Sequence, residues 1–164
     1  MTRGRRGTQT APARGFTLIE LMVVVSIIAI VSAIAAPSFR SLIGTMNAKS
    51  AAFDLIGDLT AARSEAIKRN QNTTVVPTAG DWAQGWELRR ADGQALRQRS
   101  ALTSSLAVSG APAAGVTFRP NGRLSDDTNT TNLSWSISSS ISGVTARCVV
   151  ITTTGSARSK TGTC

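Results

Sequence analysis

Residues 16–36 form a run of 21 that is apolar or small at every position except Glu20. At about 1.5 Å of rise per residue, a helix of that length crosses a hydrocarbon layer of roughly 30 Å. The run therefore reads as a membrane span, and it decides how the remaining residues are used. In a chain of 164 residues it leaves room for one modest soluble domain. Four arginines, Arg3, Arg5, Arg6 and Arg14, precede the run, and the flank beyond Pro37 carries fewer charges near the span. The positive-inside rule then keeps the N-terminus cytoplasmic and sends the rest outward. Two residues do not suit a simple anchor. A carboxylate in lipid is costly and normally finds a partner, and Pro37 lacks an N–H and crowds the preceding turn, which predicts a kink or local melting.

An ordinary secretory signal has its small-residue cleavage site after the apolar core, whereas here Gly15 stands before it. The stretch Gly15-Phe16-Thr17-Leu18-Ile19-Glu20-Leu21 resembles the class III signal of type IV pilins and of the pseudopilins of type II secretion. That resemblance implies that a prepilin peptidase cuts between Gly15 and Phe16 and methylates the new amino group of Phe16. It also implies that Glu20 faces the N-terminal amine of a neighbouring subunit in a filament, and that Pro37 bends the helix so the subunit fits.

Histidine is absent. This excludes Ser-His and Cys-His nucleophile pairs, HExxH zinc sites and histidine proton relays, so no enzyme is expected. The formal charge of +9 overstates the basicity of the soluble part: removing the four leading arginines leaves 14 Lys/Arg against 9 Asp/Glu. Cys148 and Cys164 have no metal-type cluster nearby, and in an exported domain a disulfide is the simplest use of them, with two buried thiols as the alternative. Closing such a loop contributes about 3 kcal/mol in the chain-entropy picture.

From Ser38 to about Arg69 the apolar residues Phe39, Leu42, Ile43, Met46, Phe53, Ile56, Leu59, Ala66 and Ile67 recur mainly at helical spacing. They predict an amphipathic helix packed on a sheet. Glu65 and Arg69 are set for an i,i+4 pair, and Asn70-Gln71-Asn72 ends the helix. Asp54 and Asp58 fall on a stripe that reads as solvated, which makes them surface charges rather than an acid/base pair.

Beyond Asn72 the chain turns to short runs of Thr, Ser, Val and Gly. Strands are predicted at 73–76, 86–89, 95–101, 116–119, 133–137 and 147–152, with turns at Gly80-Asp81 and Ala91-Asp92-Gly93 and a loop over 104–114. Leu133, Trp135 and Ile137 alternate with Ser134 and Ser136, as a half-buried strand does. The stretches "DWAQGWELRRADG" (81–93) and "VTFRPNGRL" (116–124), with the late cysteine pair, resemble the GspH/FimT family of minor pilins and pseudopilins. Trp82, Trp86 and Trp135 read as core packing rather than a ligand platform. Ser125-Asp126-Asp127-Thr128-Asn129 offers oxygen ligands without a full calcium set, so a polar turn is expected and no metal or cofactor. The basic residues Arg147, Arg158 and Lys160 lie in an acid-free stretch from Thr128 onward. By the resemblance, "GSARSK" (155–160) corresponds to a G-R-x-R stretch with which some relatives bind DNA. Gly155 and Arg158 match, Ser156 replaces the first arginine, and no aromatic interleaves the charges. The plainer reading is a solvated edge strand protected by charge.

The expected organisation is a cleaved basic leader (1–15), a transmembrane and assembly helix (16–37), an amphipathic helix (38–71) and a periplasmic β-sheet domain (72–164). The expected fold is α+β and type IV pilin-like, a long N-terminal helix packed on an antiparallel sheet. Its function would be that of a minor pilin or pseudopilin in a type IV pilus or a type II secretion pseudopilus, with DNA uptake as the alternative. It would sit in the bacterial inner membrane as a single-pass protein. Its partners would be the prepilin peptidase, the major and other minor subunits and, in the alternative, DNA.

Overall fold

The computed structural model describes residues 15–125 and 132–164 and divides into two compact units, Met1–Pro37 and Ser38–Cys164. The leader up to Arg14 and, beyond Ser125, the polar turn expected over Ser125 to Asn129 lie outside the described residues. A single helix, α1 (Leu18–Arg69, 52 residues), supplies residues to both units and is unbroken at Pro37, so the proline has not melted it.

In the first unit the helical side chains from Leu18 to Ala36 are exposed all round. Its most apolar window has a mean hydropathy of 2.7 and no buried residue. A helix apolar on every side needs apolar surroundings, and this one is long enough to cross a membrane.

In the second unit the helix buries a face of mostly small residues: Gly44, Ala48, Ala51, Ala52, Leu55, Asp58, Leu59, Ala62 and Ala66. This corrects the predicted face. Leu59 and Ala66 are buried and Ile56 is partly so, but Phe39, Leu42, Ile43, Met46, Phe53 and Ile67 remain 43–63% exposed. The helical periodicity held, but the buried face is lined mostly by alanines, and of the predicted set only Leu59, Ala66 and, in part, Ile56 lie on it. The helix ends in a Schellman turn. Asn70 takes the left-handed conformation (φ 54°), its N–H donates to Ile67 O at 3.3 Å and that of Gln71 to Ala66 O at 3.2 Å.

Among the described residues eight strands follow: β1 (Thr73–Pro77), β2 (Trp86–Arg90), β3 (Ala95–Arg99), β4 (Leu106–Ser109), β5 (Val116–Phe118), β6 (Leu133–Ser139), β7 (Arg147–Ile151) and β8 (Ala157–Thr161). They form two antiparallel four-stranded sheets, ordered β3-β2-β1-β5 and β4-β6-β7-β8. The six predicted strands are present. The additional strand β4 replaces part of the predicted loop 104–114, and β8 lies in the basic C-terminal stretch, where the plainer reading expected an edge strand. Both are edge strands, which are easily missed because each is short and has a sheet neighbour on one side only. Inner-face residues of both sheets and the helix share one core, in which Trp135, Phe118, Leu55, Leu59, Ile137 and Ile151 are fully buried. Trp82 and Trp86 join it: Trp82 stacks edge-on against Trp135 at 5.3 Å and lies 6.1 Å from Trp86.

Candidate functional site

Thr17 is the N-cap of α1, with Glu20 three residues on. The Thr17 hydroxyl accepts from the Glu20 N–H at 3.3 Å, while Glu20 Oε2 accepts from both the Thr17 N–H and the Thr17 hydroxyl at 3.3 Å. This is a reciprocal capping box, which satisfies donors that a helix start otherwise leaves open. Gly15, Phe16, Thr17 and Glu20 line one open cavity. The Thr-x-x-Glu spacing was available in the sequence as a helix-start signal. The sequence reading instead took Glu20 as a costly charge in lipid and, by the resemblance, as an assembly residue facing a neighbouring subunit.

The domain carries a second polar centre that the sequence reading misjudged. Asp58 is only 2% exposed, not on a solvated stripe. Its Oδ2 accepts from Trp86 Nε1 at 3.0 Å and from Arg99 Nε and Nη2 at 3.2 Å, and Oδ1 accepts from Arg97 Nη1 at 3.2 Å. The register Trp86↔Arg99 and Leu88↔Arg97 places both arginines on the core side of edge strand β3, aimed at the helix. Arg99 also reaches Asp54 at 3.5 Å. The available signal was the spacing Ala48, Ala51, Leu55, Asp58, Ala62, Ala66, which puts Asp58 in the small-residue row. The cluster neutralises its own charges and offers no nucleophile or vacant ligand.

Cys148 and Cys164 are joined by a disulfide that spans 16 residues and fastens the end of the chain to β7. The three basic residues expected to act together do not share a face. Arg158 and Lys160 pair across β7–β8 with Val150 and Cys148, and pleating puts them on one side of the sheet. Arg147, one residue out of phase, lies on the other side with Val149 and Ile151. Its guanidinium donates to Thr161 Oγ1 at 3.2 Å, and its Nε is buried without a hydrogen-bond partner among the described residues.

The glycines of "RPNGR" and "GSARSK" meet. A Cβ on Gly155 (φ +79°) would collide with Gly122 O, an oxygen that accepts from Arg63 Nε at 3.1 Å. The same two turns are tied by Leu124 N–H to Thr153 O at 3.1 Å. Gly155 is therefore explained by backbone approach, whereas a Cβ on Gly122 (φ +74°) would meet the Ile67 and Arg63 side chains. Among the described residues no three His, Cys, Asp or Glu side chains converge.

Residues 51–155 match the family model described as type II transport protein GspH, and residues 11–36 match the prokaryotic N-terminal methylation motif. Among solved structures the chain is similar to the type IV minor pilin FimU of Pseudomonas aeruginosa (strain PAO1) in two crystal forms. One has 24% identity, covers 69% of this chain and 87% of that one, and gives a TM-score of 0.58. The other has 26% identity, 68% and 91% coverage and a TM-score of 0.55. It is also similar to the minor pseudopilin EpsH from the Type 2 Secretion System of Vibrio cholerae, at 18% identity, 70% and 97% coverage and a TM-score of 0.53. None of the curated proteins compared matches the chain.

Proposed function

Because the chain belongs to the GspH family of type II transport proteins, and is thus a minor pilin or pseudopilin of a type II secretion system or type IV pilus, we propose how its parts serve that role. A prepilin peptidase hydrolyses the Gly15–Phe16 bond and methylates the freed amine of Phe16. The helix then holds the subunit in the inner membrane as a single pass, with residues from Ser38 onward in the periplasm, where an oxidising environment suits the Cys148–Cys164 bridge. Assembly with other pilin subunits runs through the N-terminal helix, with Glu20 setting register and Pro37 at the boundary of the two units. The domain acts by the surface it presents and not by chemistry.

The observation that carries this reading is the N-terminal methylation motif over residues 11–36, at the start of a helix whose apolar window is wholly exposed. The test is the intact mass of the protein from cells with and without a prepilin peptidase. A chain beginning at Phe16 with one added methyl group, only when the peptidase is present, is expected; an uncut leader in both would overturn the processing step. DNA binding is not carried forward, because Arg147 does not lie on the face that holds Arg158 and Lys160.

A further inference from the structure

We infer that the domain rests on the anionic lipid surface at two places, the first turns of its own helix and the turn Ile141-Ser142-Gly143-Val144 between β6 and β7. The inference rests on the reading that the 16–36 run crosses the membrane. All the residues of this patch belong to the second unit. On one side of the helix, opposite the buried Gly44 and Ala48, Phe39, Leu42, Ile43 and Met46 remain 43–63% exposed. The β6–β7 turn covers the other side. A Cβ on Gly44 would come within 2.6 Å of Val144 Cγ2 and 3.4 Å of Ile141 Cδ1, and one on Gly143 (φ +80°) within 3.5 Å of Ser41 Cβ. The turn is closed by the Val144 N–H, which donates to Ile141 O at 3.4 Å. Val144 also packs against the domain core, whereas Ile141 stands outside it and keeps part of its surface open.

Length and charge together indicate what covers this patch. The 31 residues from Phe16 to Met46 rise about 46 Å as a helix, against roughly 40–45 Å for a bilayer with its headgroups. When the 16–36 run fills the hydrocarbon, Phe39 to Met46 therefore reach headgroup depth, and the turn packed at Ser41 and Gly44 reaches it with them. No acid occurs between Leu21 and Phe53 or from Thr128 onward, while Arg40 and Lys49 supply positive charge beside the apolar residues. Apolar side chains with cations and without carboxylates suit the boundary between acyl chains and phosphate headgroups. A second copy laid on the patch would set like charges against each other, whereas phospholipids bring the missing anions. A lipid contact beside the helix fixes which side of the domain is turned toward the membrane before the subunit joins others.

The test uses the full chain in vesicles of phosphatidylethanolamine and phosphatidylglycerol, with a fluorophore on one introduced cysteine and a nitroxide either on the lipid headgroups or within the acyl chains. The two native cysteines are joined to each other, so the introduced thiol takes the label. On Ser142→Cys the headgroup nitroxide should quench strongly. On Ala91→Cys it should not, because the neighbouring Arg90 reaches Glu65 at 3.8 Å, 24 residues along the helix from Ser41. Ile141→Asp should remove most of the quenching at position 142. Arg40→Gln, at an exposed site, should weaken it in these anionic vesicles and leave it unchanged in vesicles of phosphatidylcholine. Equal quenching at positions 142 and 91, none at 142, or quenching that both variants leave unchanged overturns the inference. So does self-quenching at 142 that grows with the protein-to-lipid ratio while the headgroup nitroxide has no effect, which would assign the patch to a second copy. A label on Ser26→Cys, inside the apolar run, separates the two readings. If the acyl-chain nitroxide fails to quench it, the membrane reading and this inference fall together; if that label is quenched and position 142 is untouched, the inference falls alone.

Discussion

Asp58 shows how much one side chain can hold together. It is the acceptor for a buried indole N–H and for two guanidinium groups, and those arginines come from an edge strand that would otherwise lie loosely against the helix. Removing one member of a buried charge cluster leaves the others unpaired, which typically costs 3–5 kcal/mol, a range to be reduced here because both arginines reach solvent. Asp58→Ala is expected to lower the unfolding free energy of the 38–164 domain by about 2–3 kcal/mol in urea titration. Asp58→Asn, which keeps an acceptor for Trp86, should cost less. Gly155→Ala combines a left-handed backbone with a collision on Gly122 O. The backbone term alone is about 1–2 kcal/mol, so a loss of at least that size should appear in the same titration. The Arg69 guanidinium holds the Glu65 carboxyl below its ordinary value. Its contribution is therefore present above that ordinary value and fades as the pH falls through the lowered one, and Glu65→Gln should remove a small part of the acid limb of a stability-against-pH curve.

At the scale of elements, the helix from Ser38 onward has two apolar faces, and only one is packed. Ala48, Ala51, Ala62 and Ala66 are buried in the core, so Ala51→Leu should overpack it and cost about 1–3 kcal/mol. Phe53 is exposed, so Phe53→Ala should change the unfolding midpoint by no more than about 0.5 kcal/mol equivalent. The reverse ranking would mean that the large residues face the sheets after all. Strand β8 is held by one sheet neighbour, β7, and by the bridge from Cys164 to Cys148. Reducing that bridge should cost about 3 kcal/mol, with amide exchange rising first in residues 157–161.

For the whole molecule, the division at Pro37 separates two units of different surface chemistry. From Leu18 to Ala36 the first unit exposes apolar side chains all round, while the second buries its own core and carries its disulfide. Residues 38–164 alone should keep the circular dichroism and unfolding midpoint of that part of the full chain, and residues 1–37 should account for membrane retention in carbonate extraction. Much of this was legible from the sequence, because a run of apolar residues, a glycine before it and a two-residue strand alternation are local patterns with direct physical meanings. The helix end at Asn70, the Glu65–Arg69 pair, six strands and the buried tryptophans follow from such patterns. Three outcomes needed the tertiary structure. Which apolar face of the helix is buried depends on what approaches it, and Asp58 becomes a core residue only because Trp86, Arg97 and Arg99 arrive from strands about 30 to 40 residues away. The separation of Arg147 from Arg158 and Lys160 depends on strand register, since a shift of one residue moves a side chain through the sheet, and no local pattern specifies which strand will lie alongside.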